Sequence, residues 1–258
     1  MVSGAGDGIG RQVALQLIER GARVAAVGRT ESRLVGTAAQ SLAPERMSAH
    51  ALDVSDRAAV FELVGKVLAA HGQVDGVLNV AGVIQPFVTI DALDLAEVER
   101  VMNVNFFGAL HMTQAFLPIL KSRPQAALVN VSSMGALVPV PGQGAYGASK
   151  SALKFLTEAL YAELRHTSVT VTLVLPGAID TNIAANSGAD VQALIDAVGK
   201  VPTMKKTDTA ARAILRAIER ERFRVVVGRD ARMVDSLSRM APTLATRIVA
   251  WRLRALVR

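Results

Sequence analysis

The chain has no cysteine among its 258 residues. This excludes a disulfide framework, a thiolate metal site and a thiol nucleophile, and it fits a reducing compartment such as the cytoplasm. Only four histidines are present, scattered and without paired carboxylates, so no metal site is expected. Residues Met1 to Gly10 offer neither a basic start nor an apolar stretch long enough for a secretory signal. The longest uncharged stretch, Pro124 to Ser149, is interrupted by Gly135, Pro139, Pro141, Gly142, Gly144 and Gly147. These residues break a membrane-spanning helix, and none is expected. Acids are also missing from Ser236 onward, where five arginines stand: Arg239, Arg247, Arg252, Arg254 and Arg258.

What is present is enough apolar material to fold. With 51% hydrophobic and 20% charged residues, the chain can bury a continuous core, and nothing in the spread of those residues divides it. Short runs rich in Val, Ala and Leu, at Val24 to Val27, Val74 to Val80, Ala126 to Val131, Val169 to Leu175 and Arg224 to Val227, read as strands. Between them lie helical periodicities at Arg11 to Arg20, Arg57 to His71, Glu97 to Leu120 and Tyr146 to Arg165. The alternation predicts an α/β fold: a Rossmann-type doubly wound parallel sheet in a single domain, with its sites beyond the carboxyl ends of the strands. Only Met1 and Val2 precede the first glycine-rich turn, so the first strand reads as truncated, by a start assigned late or a trimmed chain rather than by nature.

Two patterns carry chemistry. Ser3-Gly4-Ala5-Gly6-Asp7-Gly8-Ile9-Gly10 leads into a helix, and its glycines allow a tight turn, close approach to a pyrophosphate and exposure of helix N-terminal amides. It fits G-x-x-x-G-x-G rather than G-x-G-x-x-G, because Ile9 stands where a third glycine would be. Tyr146 and Lys150 stand at i and i+4 on one helix face. A phenol can take the proton of an alcohol as hydride leaves and return it in reduction, and a nearby cation favours its phenolate. Ser133 ends a strand 146 − 133 = 13 residues earlier, with Ser132 as its competitor.

These motifs resemble those of the short-chain dehydrogenase/reductase family from Ser3 to about Gly228. The resemblance implies catalytic roles for Asn105, Ser133, Tyr146 and Lys150. Ser133 would hold the substrate oxygen, and Asn105 a water linking Lys150 to solvent. It also implies that Ser3, Gly4, Gly8, Ile9 and Gly10 form the cofactor turn and that Asp53-Val54 meets the adenine. Asn79-Val80-Ala81-Gly82 resembles the family's Asn-Asn-Ala-Gly segment, with Val80 departing from it. Asn79, Ala81 and Gly82 are therefore expected at the cofactor, together with Tyr146 and Lys150. Pro176-Gly177-Ala178-Ile179-Asp180-Thr181 resembles its Pro-Gly segment, where Pro176, Gly177, Ile179 and Thr181 would hold the nicotinamide carboxamide. Gly28-Arg29 at the end of the second strand lacks the acid that binds a ribose 2′-hydroxyl. Arg29 can fork onto a 2′-phosphate, so NADP is favoured over NAD, although Asp7 stands where many NADP-preferring relatives have a base.

The expected activity is interconversion of an alcohol and a ketone. The expected substrate is apolar, because Met134 to Val140 and Ile183 to Val201 are mainly apolar or small. A non-catalytic cofactor-binding regulator or scaffold is the alternative. The helices from Glu97 to Leu120 and from Tyr146 to Arg165 resemble those of the family's dimer interface, so a homodimer or homotetramer is expected. Residues 1–230 read as the catalytic domain and 231–258 as a basic amphipathic extension. Met233, Leu237, Met240, Leu244, Ile248 and Trp251 recur at helical spacing, with Pro242 as a kink or break. That stripe suits an anionic membrane surface, with a pocket cover or a neighbouring subunit as the other readings, and nucleic acid is not expected.

Overall fold

The computed structural model describes residues 1–188 and 205–254. Its main sheet contains β1 (Val2–Ser3), β2 (Val24–Gly28), β3 (Met47–Ala51), β4 (Gly76–Asn79), β5 (Ala126–Val131), β6 (Val169–Pro176) and β9 (Arg224–Val227). All neighbours are parallel, in the order β3-β2-β1-β4-β5-β6-β9. A separate two-stranded ladder pairs β7 (Ile179–Asp180) with β8 (Lys205–Lys206). The inner strands are apolar along their length because helices cover both faces. On one face α3 (Arg57–His71), α5 (Gly108–Lys121) and α6 (Gly144–Glu163) enclose Leu63, Phe116, Leu120 and Leu128. On the other, α1 (Gly8–Glu19) and the helix Thr207–Glu219 enclose Val13, Ile18, Ile214 and Leu215.

β3 is the strand that no apolar run announces: Met-Ser-Ala-His-Ala lies at the sheet edge, half-buried or exposed. β1 has only two residues, yet it is central, pairing Val2 with Ala26 of β2 and Leu78 of β4. Strand order reverses between β1 and β4, so a crevice opens beyond their carboxyl ends. The glycine-rich turn and the Asn79–Gly82 segment leave the sheet at that point.

The single helix expected from Glu97 to Leu120 is interrupted. Helix α4 (Leu95–Met102) runs into a π turn at Asn103–Phe107 before α5 begins. Gly108 lets this junction sit against the chain after β3, since a Cβ there would come within 2.7 Å of Val54 Cγ2. The tail forms two helices, Arg229–Met240 and Pro242–Arg252, broken at the extended residue Ala241 with Pro242 in the first turn of the second. The expected boundary at residue 230 falls inside the first of these. Ala231 is fully buried, and Asp235 accepts two 2.7 Å hydrogen bonds from Arg224 of β9. Those hydrogen bonds hold the Asp235 carboxyl below the usual range. No helix among the described residues is long and apolar enough to cross a membrane.

Candidate active site

The glycine turn is held by backbone fit. Gly4 has φ +70°, and a Cβ on it would lie 2.9 Å from Ala81 Cα. A Cβ on Gly10 would fall 2.2 Å from Gly4 O, so α1 can close onto the turn only with glycine there. Ser3 Oγ is buried and accepts from Val80 N at 3.1 Å and Ala81 N at 3.3 Å. Ser3 therefore ties β1 to the segment after β4 and has no free surface for a ligand. Thr37 donates to Ala5 O at 3.0 Å and Arg11 to Gly6 O, which fixes the other side. Gly8 differs: its φ is +55°, and a Cβ on it would meet Thr181 Cγ2 only at an ordinary 3.6 Å. The N-terminus of α1, with Ile9 in its first turn, therefore stands beside Thr181, and a helix N-terminus is where a phosphate is received.

Asp7 caps α1 by accepting from Gly8 N at 2.7 Å, and it also accepts from Asn186 at 2.8 Å and Asn182 at 3.2 Å. Burial opposes its charge, but these bonds and nearby Arg11 hold its carboxyl below the usual range. Arg33 stands 3.8 Å from that carboxylate and donates to Asn186. Arg29 is exposed and makes no hydrogen bond or ion pair with the described residues. Asp53 spends one oxygen on Ser55 N and Oγ, leaving the other free.

The second half of the crevice is built from side chains. Ser133 accepts from Gly135 N at 3.0 Å and flanks the Tyr146 ring, since a Cβ on Gly135 would lie 3.4 Å from both Ser133 Oγ and Tyr146 Cε1. Ser132 is buried and donates to Lys150 O at 2.8 Å, so the two serines divide between the crevice and the fold. Lys150 is 3% exposed, donates from Nζ to Val131 O at 3.1 Å, and is lowered by burial to about 8. Gly82 lets the backbone pass this ammonium, since a Cβ there would lie 3.0 Å from Nζ. Burial pushes the Tyr146 phenol up, against the lowering pull of the Ser133 hydroxyl. Lys150 adds no lowering to the phenol here, and desolvation dominates.

Two of the expected site residues have their side chains engaged within the fold. The side chain of Asn79 is turned away from the crevice: it donates to Asn130 at 2.8 Å, and Asn130 donates to Thr157 of α6 at 2.9 Å, a buried chain joining β4, β5 and α6. Asn105 sits fully buried in the π turn, accepts from Val83 N at 2.8 Å, and donates to Val83 O and Ser149 Oγ at 2.9 Å. Its amide oxygen holds Val83 N and its amide nitrogen is fully engaged, so the side chain positions the segment beside Gly82 and the helix carrying Tyr146.

Neither Gln85 nor Asp230 stands in a recognisable motif. Gln85 is fully buried, accepts from Tyr146 N at 3.0 Å and donates to Gly142 O, fixing the start of α6. Asp230 accepts from Ala178 N at 2.7 Å, and a Cβ on Gly177 would lie 2.3 Å from its carboxylate. It thereby shapes the Pro176–Thr181 segment. Ile84, Phe87, Ile183 and Ala184 form an apolar wall packed with Tyr146. The rest of the expected wall, from residue 189 to Val201, lies outside the described residues, as does Arg258. No cluster of metal-ligating side chains occurs among the described residues.

A family model described as short chain dehydrogenase matches residues 1–192. The chain belongs to that family. SadH of Mycobacterium tuberculosis, named as an oxidoreductase, is 36% identical over 97% of this chain and 93% of its own. A short-chain dehydrogenase/reductase of Burkholderia phymatum, solved with NAD, superposes with TM-score 0.81 at 26% identity over 93% of this chain and 90% of its own. One from Burkholderia cenocepacia, solved with NADP, gives 0.80 at 29% identity over 96% and 95%. The chain is thus a short-chain oxidoreductase with the Rossmann-type fold that the strand order shows.

Proposed function

We propose that this chain transfers hydride between NADP(H), or less favourably NAD(H), and an apolar secondary alcohol or ketone, with Tyr146 as general acid and base. The observation that carries the reading is the phenol of Tyr146, set beside Ser133 across Gly135, with Lys150 buried one helical turn on and an apolar wall of Ile84, Phe87, Ile183 and Ala184. A dinucleotide fits the cradle. The α1 N-terminus from Gly8 to Gly10 would take the pyrophosphate, Asp53 the adenine and the Pro176–Thr181 backbone the carboxamide. Bound there, the nicotinamide supplies or accepts hydride. Ser133 holds the substrate oxygen and stabilises charge developing on it. A phenol raised by burial is a proton donor at neutral pH, which suits reduction of a carbonyl.

The structures similar to this one hold NAD in one case and NADP in the other, so the choice rests on this chain's own charges. Arg29 follows β2 exposed and uncommitted, and the Asp7 carboxylate that would oppose a 2′-phosphate is held by two asparagines with Arg33 beside it. NADP(H) is the better match. Assembly as a homodimer or homotetramer belongs to the same reading. Phe107, at the start of α5, is 40% exposed and Phe155 on α6 is 73% exposed, and both suit a helix-to-helix interface. A cysteine-free chain points to the cytoplasm. The test is a panel of apolar secondary alcohols and ketones, each assayed with NADPH and NADH on the native chain and on Arg29→Ala. Arg29→Ala should raise KM for NADPH about 10- to 100-fold, the scale of a charge-assisted hydrogen bond, and barely change NADH. Equal losses for both cofactors would refute the 2′-phosphate contact, and no turnover anywhere in the panel would refute the substrate class.

A further inference from the structure

The two tail helices expose an apolar stripe beside unpaired positive charge. Met233 is 67% exposed, Met240 85%, Leu244 50%, Ile248 41% and Trp251 65%. These side chains face outward while Ala231 and Ala245 face inward and are buried, so each helix has two apolar sides and only one is used by the fold. The exposed apolar side chains lie on two helices packed together rather than on one kinked helix, and Leu237 is half-buried and is not among them. The only acids after Gly228 are Asp230 and Asp235. Both are committed, Asp230 to Ala178 N and Asp235 to Arg224 and Arg239. Arg229, Arg232, Arg247, Arg252 and Arg254 are exposed and pair with no acid among the described residues. Arg254 lies over the Trp251 ring at 5.6 Å.

We propose that this face binds an anionic lipid surface. Exposed apolar side chains flanked by uncommitted arginines match the boundary between headgroups and acyl chains, and a tryptophan suits that depth. A second copy seated symmetrically would set its own arginines against these, so like charges would oppose it. Nucleic acid would answer the charge and leave the stripe in water. Trp251 is the single tryptophan of the chain, so its emission reports the contact without a label. The experiment titrates the full chain with vesicles of phosphatidylcholine alone and of phosphatidylcholine with about one-third phosphatidylserine, at 50 and 150 mM salt as chosen conditions. The anionic vesicles should shift the Trp251 emission to the blue and pellet at least tenfold more protein than neutral ones, less at the higher salt. Arg247→Glu with Arg252→Glu should lose at least tenfold of that binding, and Ile248→Ser with Leu244→Ser should do the same. All four positions are exposed, so the variants should keep their fold, checked by thermal unfolding. Equal pelleting with both vesicle types, or charge-reversed variants that still bind, would overturn the proposal. So would a fall in oligomer mass, by light scattering, in the serine variant, which would make the face an interface between copies.

Discussion

The two sides of the crevice are built from different materials. On the β1 side the closest contacts are between backbones: Gly4 and Gly10 permit approaches that any Cβ would prevent, and Gly8 takes a left-handed φ beside Thr181. On the β4–β5 side the shape comes from buried side-chain amides and hydroxyls. Asn79–Asn130–Thr157 crosses sheet and helix, Asn105 holds Val83 and Ser149, and Gln85 holds Tyr146 N. A ligand held by backbone amides needs little from side-chain identity, whereas a proton donor must have its rotamer and its charge environment fixed by neighbours.

Glycine substitutions should break the comparison most sharply. Gly10→Ala places a Cβ 2.2 Å from Gly4 O and should cost about 3 kcal/mol of stability, the upper range for overpacking. Gly8→Ala puts its Cβ in ordinary contact with Thr181, 3.6 Å away, and should cost only the left-handed backbone strain, about 1 kcal/mol. Thermal unfolding of both variants checks the order, and equal losses would mean that the turn is not held by close packing.

A smaller effect tests the side-chain half through pH. Lys150 is lowered by burial from 10.5 to about 8, so between those values the unfolded chain binds more protons than the folded one. Its contribution to stability therefore rises with pH through that window, and the penalty is largest below it. Lys150→Met removes the term. The stability of Lys150→Met relative to the native chain, from denaturant unfolding, should fall by about 2 kcal/mol between pH 7 and pH 10. A difference that does not move with pH would place the ammonium in water.

How much could be read in advance follows the same division. The glycine turn, the strand alternation and the Tyr146–Lys150 pair are local, each set by spacing along the chain, and the structure puts them around one crevice. The expected single helix from Glu97 missed the π turn, because nothing in Asn-Val-Asn-Phe-Phe marks an extra residue per turn. β3 was missed as an apolar run because an edge strand half in water carries none. Asn79 was assigned to the cofactor by its motif, whereas its amide lies in the core, since partners 30 to 51 residues away decide where it points. Gln85 and Asp230 were invisible for the same reason: each acts on a backbone amide brought near only by folding. The tail was legible in its spacing, but the break at Ala241 and the use of one apolar side for packing required the structure.

The central claim is that the Tyr146 hydroxyl moves the proton while the backbone half holds the cofactor. Tyr146→Phe removes only that hydroxyl, and Ser133, Lys150 and the glycine turn stay in place. On a substrate found in the panel, turnover should fall by at least about a thousandfold, within the range of a general acid and its electrostatic support. The dissociation constant for NADPH, from fluorescence titration, should stay within about threefold of the native value. Turnover close to native in Tyr146→Phe, on that same substrate, would contradict the account.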